Sequence, residues 1–455
     1  MVKSKILGGD IVAFFNQPSL IIHEKEGNLH NFAYMDNQII YHYFDKDRGR
    51  IKDKIINHMA TNDFDGGINS FGEIYLVCKN VDNRVVLLSS HRDYTHSRLI
   101  VEAEKKAENL SACVVGDNIH IFYLEPLDKE NRKYRLNYCY DLGEGWINQE
   151  LDIIHKGDVL NPIQSMVVGN KVFLFYYHVI SEVEQIFIKS LDLEGGNWSD
   201  PIQLTTSKGN KLYLDALIKN NNEIHLTYCE YEEGNLLVKY QRNKIEGIKN
   251  QVLIEEIVSN PGNCQYPTLI YFGEILWISW TEYNYIASRY SEDNGDSWGN
   301  IYLWKQSKTE DIVRHRYISD GSDYKLNYSF GNAQNLSFIG FGKLELTRII
   351  PIKKRGLDIK VNNEMMTLNN DDNSQLRDKL NKLERDIILL RNQLIIPSEK
   401  IKYLEEQIKT LTQDQNIEKS IEEKDLSNIK ERLLIIENFL LQNTRGFKHL
   451  MKDDN

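Results

Sequence analysis

A chain of 455 residues, 27% charged and 41% hydrophobic, has the composition of a soluble globular protein with room for more than one domain. Its formal net charge of -11 argues against a general nucleic-acid-binding role, since neutralising phosphates needs a basic face, though a local basic pocket stays compatible with it. No apolar stretch reaches the length of a membrane span and no apolar h-region follows Met1-Val2-Lys3, so a cytoplasmic protein without membrane insertion is expected.

Strands of one character recur through the first 350 residues. Leu29-His30, Ile74-Tyr75, Ile119-His120, Val172-Phe173, Ile224-His225, Ile275-Leu276 and, more weakly, Leu326-Asn327 mark strands of alternating aromatic and β-branched residues between turn signals. Successive marks lie about 45 to 53 residues apart, a period that suggests propeller blades. Seven units are predicted between about residues 19 and 350, with six as the alternative should the first or last be irregular. Strands at 314–318, 324–330 and 336–341 would make the seventh, and the run at 11–15 would pair with it to close the ring and remove its exposed edges. His30, His120 and His225 hold equivalent places in separate units, which marks a packing role and not a metal cluster.

Three further features fall along these units. Asp63 and Asp65, before Gly66-Gly67, are predicted to lie in a loop, where they are candidates for binding a cation or sugar hydroxyls. The five cysteines, Cys78, Cys113, Cys139, Cys229 and Cys264, are odd in number and scattered, the pattern of reduced core residues rather than a disulfide frame or metal site. Neither a metal nor a cofactor is expected. Arg314 and Arg316, two apart on a predicted inner strand, would share one face and could line the central channel as an anion site.

One turn is spelled out in full. In Ser291-Glu292-Asp293-Asn294-Gly295-Asp296-Ser297-Trp298 an aspartate accepts backbone N–H groups ahead of it, glycine supplies a positive φ, and the tryptophan folds back on the hairpin. Cys139, Asp141, Gly143 and Trp146 keep the same spacing with Cys for Ser; Ser190, Asp192, Gly195 and Trp198 keep the residue types with one extra residue before the glycine. These residues resemble the Asp-box, or BNR repeat, of sialidase-like β-propellers, in which the motif staples rim hairpins away from the active site. The resemblance covers roughly residues 19–350 and implies a propeller fold.

It also implies what a sialidase must carry: an arginine triad for the substrate carboxylate, a tyrosine nucleophile activated by a glutamate, and an aspartate as general acid, with the first arginine in an R-I-P motif before the first Asp-box. That motif is absent from the N-terminal units, and its nearest relative, Arg348-Ile349-Ile350-Pro351, follows the last one. Arg48, Arg50, Arg84, Arg92 and Arg98 stand early in the chain without a motif that assigns them a role. No catalytic residue is therefore named.

Beyond Pro351 the period changes. Leu376, Leu383 and Leu390 form one seven-residue series and Leu380, Ile387 and Leu394 another four residues on, the d and a positions of a coiled coil; Ile401, Leu404, Ile408 and Leu411 continue it past Pro397, and Leu426 to Leu440 form a further amphipathic helix. The expected layout is a mostly β propeller over 1–352, a polar linker over 353–373 and a helical oligomerisation region over 374–455. The expected function is a non-catalytic, homo-oligomeric binding scaffold with a glycan or protein ligand, the alternative being a divergent glycoside hydrolase of exo-sialidase type. Richness in Asn, Ile, Lys and Tyr suggests an AT-rich bacterial genome, which suits a cytoplasmic or spore-associated setting.

Overall fold

A computed structural model describes residues 18–353, apart from 142–144, 158–160, 220–221, 233, 284, 320–323 and 333–335. The chain divides into two compact units, Met1–Arg355 and Gly356–Asn455. The heptad region, most of the linker and the run at 11–15 lie outside the described residues.

The described chain is almost wholly β, with only short 3-10 turns besides. Six antiparallel meanders follow one another; the opening strand lies at one edge of its sheet in the second to fifth, and in the first and sixth a later strand of the chain pairs with it. Those opening strands are Ser19–His23, Ala60–Ile68, Glu108–Val115, Gln164–Val168, Lys211–Lys219 and Cys264–Phe272. The repeat marked at Leu29, Ile74, Ile119, Val172, Ile224 and Ile275 coincides with the second strand of each meander. These second strands carry the core: in Lys171–Ile180 the run from Val172 to Tyr177 is buried on both faces, so the strand is continuously apolar instead of alternating. Tight turns join them to the third strands, as at Asp36-Asn37 and Ser181-Glu182, where both residues hold the left-handed φ that a two-residue hairpin demands.

The opening strands are tied in a circle by side chains that reach the next sheet. Asp63 accepts the Asn109 and Leu110 N–H groups at 2.7 and 2.8 Å; the Ser111 and Ser165 hydroxyls share a bond of 2.8 Å; Gln164 donates to Asp215 at 3.0 Å, and the Leu269 N–H donates to Asp215 at 2.8 Å. The circle closes through Ile312–Ser319, which pairs in parallel with Ser19–His23 while Arg314 donates to Thr268 at 3.2 Å. This is a β-propeller.

The last predicted unit is built differently from the expectation. Ile312–Ser319, Tyr328–Asn332 and Phe338–Ile339 form a three-stranded ribbon, but its inner strand continues the first sheet, and Tyr324–Leu326 pairs with the sixth. The ribbon is too short to bury its own faces. It packs Ile312, Phe330 and Ile339 on the sixth sheet and Tyr317, Leu336 and Phe338 on the first.

The Asp-box turn follows the third strand of the sixth sheet. Asp293 accepts the Ser291 hydroxyl at 2.7 Å and the Ser297 N–H at 2.8 Å, the Gly295 N–H donates to Ser291 Oγ at 2.7 Å, and Gly295 takes a φ of 89°. A Cβ on Gly295 would stand 2.0 Å from the Tyr240 hydroxyl, so the turn is pressed against the fifth sheet. Trp298 meets the Tyr240 ring edge-on at 4.9 Å. Trp198 does the same to Tyr138 of the third sheet at 5.2 Å, and Trp146 lies under the Arg98 guanidinium of the second at 4.7 Å. Asp192 accepts the Glu194 N–H at 3.0 Å, and Asp141 pairs with Arg98. Gly143 lies outside the described residues.

The three repeated histidines each share a hydrogen bond with a tyrosine on the adjacent strand: His30 with Tyr41 at 2.9 Å, His120 with Tyr138 at 2.6 Å and His225 with Tyr240 at 2.8 Å. Burial holds His120 down to about 4, and burial with the nearby Arg242 and Lys219 charges holds His225 down to about 3, against an ordinary 6.5. Between pH 6.5 and 4 the unfolded chain therefore binds protons that the fold refuses. Stability is full above pH 6.5 and falls with acidification, by up to about 1.4 kcal/mol per pH unit for each histidine. His120→Gln should flatten the decline of the urea midpoint over that window; an unaltered slope would mean that His120 is protonated in the fold.

Candidate functional site

The four residues singled out as ligand candidates lie on the strands Ala60–Ile68 and Ile312–Ser319, and one pair of them, Asp65 and Arg316, meets. Asp63 and Asp65 do not lie in a loop: they belong to the strand Ala60–Ile68. The glycines after them mark a close approach and not a turn, since a Cβ on Gly66 would stand 2.4 Å from the Tyr75 carbonyl oxygen and one on Gly67 2.5 Å from Val114. Arg316, on the strand that continues the first sheet, faces Asp65 of the second at 3.5 Å, and the other oxygen of that carboxylate accepts the Ala112 N–H at 2.9 Å. Burial pushes the Asp65 carboxyl up, and Arg316 works against that shift. Asp63, spent on two backbone donors, is likewise raised by burial.

Arg314 stacks on the Tyr328 ring at 3.7 Å and faces that of Tyr266 at 5.6 Å. Its Nη2 donates to the Pro267 carbonyl at 3.3 Å. Arg316 donates to the carbonyls of Asn327 at 3.0 Å and Ser165 at 3.5 Å. Two arginines and a tyrosine thus meet here, and one of the aspartates, Asp65, stands against an arginine. Burial drives the Tyr328 phenol up, the wrong direction for a nucleophile.

One residue at the axis was not singled out from the sequence. Asp215 is fully buried, and its carboxylate accepts Gln164 Nε2 at 3.0 Å, the Ala216 N–H at 2.9 Å, the Leu269 N–H at 2.8 Å and Asn327 Nδ2 at 3.1 Å. Burial raises its pKa. The available signal was a lone aspartate inside the apolar strand Lys211–Lys219, a charge that such a strand tolerates only with partners.

The early arginines stay away from the axis. Arg50 pairs with Asp53 at 2.7 Å, Arg84 with Asp82 at 2.5 Å, and Arg98 with Asp141. Arg348 is exposed on Thr347–Ile350, which pairs with the outer strand of the sixth sheet. Among the described residues no group of three or more His, Cys, Asp or Glu is placed to hold a metal ion, and the five cysteines are buried free thiols. No described helix is long and apolar enough to cross a membrane.

No protein-family model matches the chain, and no curated protein matches it by sequence. Solved structures do. An ulvan lyase, described as a new family of polysaccharide lyase, superposes with a TM-score of 0.50 at 10% identity over 71% of this chain and 93% of its own. The fucose-binding lectin of Aleuria aurantia, a six-bladed β-propeller, matches with a TM-score of 0.38 at 12% identity over 72% and 91% of the two chains. The subtype N10 neuraminidase-like protein of A/little yellow-shouldered bat gives 0.39 at 13% over 61% and 95%. These are likenesses of fold.

Removing the Asp215 carboxylate tests the axial network. Asp215→Ala leaves Gln164, Asn327 and the Leu269 N–H without their acceptor, at about 1 to 3 kcal/mol for each buried donor. A loss of at least about 3 kcal/mol in urea unfolding is expected; a loss under about 1 kcal/mol would mean that water replaces the carboxylate and the axis is open.

Proposed function

We propose that this protein is a non-catalytic binding scaffold that displays a sialidase-like propeller, with carbohydrate as its ligand class. The observation that carries this reading is the internal neutralisation of the axis. Arg316 and Asp65 face each other, Arg314 is held against Tyr328 and two carbonyl or hydroxyl oxygens, and Asp215 is saturated with donors. A substrate carboxylate entering there would have to displace these partners, each already inside the fold, so the channel offers no ready clamp. The ribbon from Ile312 to Ile339 counts in this reading as a seventh, reduced blade, because it packs one face on the sixth sheet and the other on the first.

Assembly completes the proposal. The leucine and isoleucine series from 376 to 411 would bury little area within one chain, and joining several propellers multiplies weak contacts by avidity. A cytoplasmic or spore-associated setting belongs to the same reading. The alternative, a divergent glycoside hydrolase, would require a tyrosine made acidic beside a carboxylate, and Tyr328 is shifted the other way.

Two readouts on the full chain test this. Fluorogenic sialosides should show no cleavage above the no-enzyme rate, and light scattering should give a mass of at least twice the 53.2 kDa of one chain. Saturable turnover lost on Arg316→Lys would overturn the non-catalytic reading, and a 53.2 kDa particle at micromolar concentration would overturn the assembly.

A further inference from the structure

The junction between the third and fourth sheets buries an amine, a carboxamide and a carboxylate together. Lys156 is 4% exposed, Asn161 1% and Glu184 1%. Lys156 follows the last strand of the third sheet, Asn161 precedes the opening strand of the fourth, and Glu184 stands beside them on the strand Val183–Asp192. The Tyr177 ring closes the Lys156 side, with Nζ 4.8 Å from its centre.

One carboxylate holds both side chains. Glu184 Oε2 accepts Asn161 Nδ2 at 2.7 Å, while Oε1 lies 3.6 Å from Lys156 Nζ and accepts the Gly157 N–H at 3.1 Å. Glycine at 157 lets the chain press on the carboxylate, since a Cβ there would stand 2.9 Å from Glu184 Oε2. Asn161 Nδ2 also donates to the Lys211 carbonyl at 3.0 Å, which fixes the plane of the amide and leaves its Oδ1 buried without a hydrogen-bond partner.

A plain buried ion pair would be arranged differently. A charge-assisted bond brings nitrogen and oxygen to about 2.7 to 2.9 Å. Here the amine stands off the carboxylate and leans on Asn161, whose main-chain carbonyl oxygen it meets at 3.2 Å, while the carboxylate gives its short bond to the amide. Burial lowers the Lys156 pKa, with Glu184 opposing that shift, and so raises the share of neutral, nucleophilic amine. The fifth sheet supplies a contrast. Glu230 accepts the Gly209 N–H at 3.1 Å and pairs with Lys239 at 3.1 Å, but it is the Ser207 hydroxyl that meets it at 2.6 Å, where Glu184 meets a carboxamide.

We propose that Lys156 and Asn161 join through an intramolecular isopeptide bond, with Glu184 as the proton carrier. The Lys156 ammonium passes one proton to Glu184, and the free amine attacks Asn161 Cγ. Glu184 hands that proton to Nδ2, the leaving nitrogen already on its Oε2, and takes the second proton that Nζ sheds. The Nζ–Cγ bond forms, the Cγ–Nδ2 bond breaks, one ammonia leaves and Glu184 ends protonated; nothing is oxidised or reduced. The buried setting keeps water from competing for the amide carbon. The product is a small covalent ring at the junction of the third and fourth sheets.

Intact-mass spectrometry and tryptic mapping of the full chain, incubated folded at neutral pH and then denatured, test this. The mass should fall below that of the sequence by one ammonia, and trypsin should fail to cut after Lys156, which would no longer carry a free ammonium. Lys156→Arg should restore both the mass and the cut. Glu184→Gln, which keeps the size of the side chain but cannot carry the proton, should give a folded protein of full mass; where it does not fold, Lys156→Arg alone decides. A wild-type mass equal to that of the sequence, with complete cleavage after Lys156, would overturn the proposal. So would an ammonia deficit that persists in Lys156→Arg or in folded Glu184→Gln, because the lost nitrogen would then come from another amide or leave without this carboxylate.

Discussion

The Asp215 carboxylate is the interaction on which the ring most depends. It has no cation within hydrogen-bonding reach, and yet it is wholly buried, because donors converge on it from the fourth sheet, the sixth sheet and the closing segment. A propeller's sheets bury their faces on each other without sharing backbone hydrogen bonds, so hydrophobic packing alone leaves their relative rotation soft. Directional bonds from one opening strand to the next remove that freedom. Asp63, Asp65, Ser111 and Ser165 do the same elsewhere around the circle, and the parallel pairing of Ser19–His23 with Ile312–Ser319 closes it.

The proposed non-catalytic reading rests on how this polar layer is used. Here Asp65 opposes Arg316 and the aromatic face of Tyr328 holds Arg314, so the charges serve the ring. The periphery is braced with equal regularity, by Trp198, Trp298 and Tyr94 on neighbouring aromatics and by Asp93, Asp141 and Asp296 on neighbouring cations.

Much of the fold was legible because blades repeat. The alternation from Leu29 to Ile275 gave the second strand of every meander, and the spacing of Ser291, Asp293, Gly295 and Trp298 gave the hairpin with its hydrogen bonds. The failures have physical causes. Asp63 and Asp65 read as a loop because Gly66-Gly67 resembles a turn, and only a tertiary contact with Tyr75 and Val114 explains the glycines. The ribbon after Ile312 read as an independent blade because local pattern does not reveal that its strands are shared between two other sheets. Asp215 was passed over since its partners stand more than 50 residues away on other strands.

Hydrogen exchange at the amides of Ala112 and Leu269 tests the central claim most directly. Both N–H groups donate across sheets to buried carboxylates, Asp65 and Asp215. If the axial layer holds the ring shut, these amides should exchange only through global unfolding, with the same denaturant dependence as the slowest core amides of the strand Lys171–Ile180. Exchange within minutes in the native state, independent of denaturant, would show the axis to be open to water and would contradict the account.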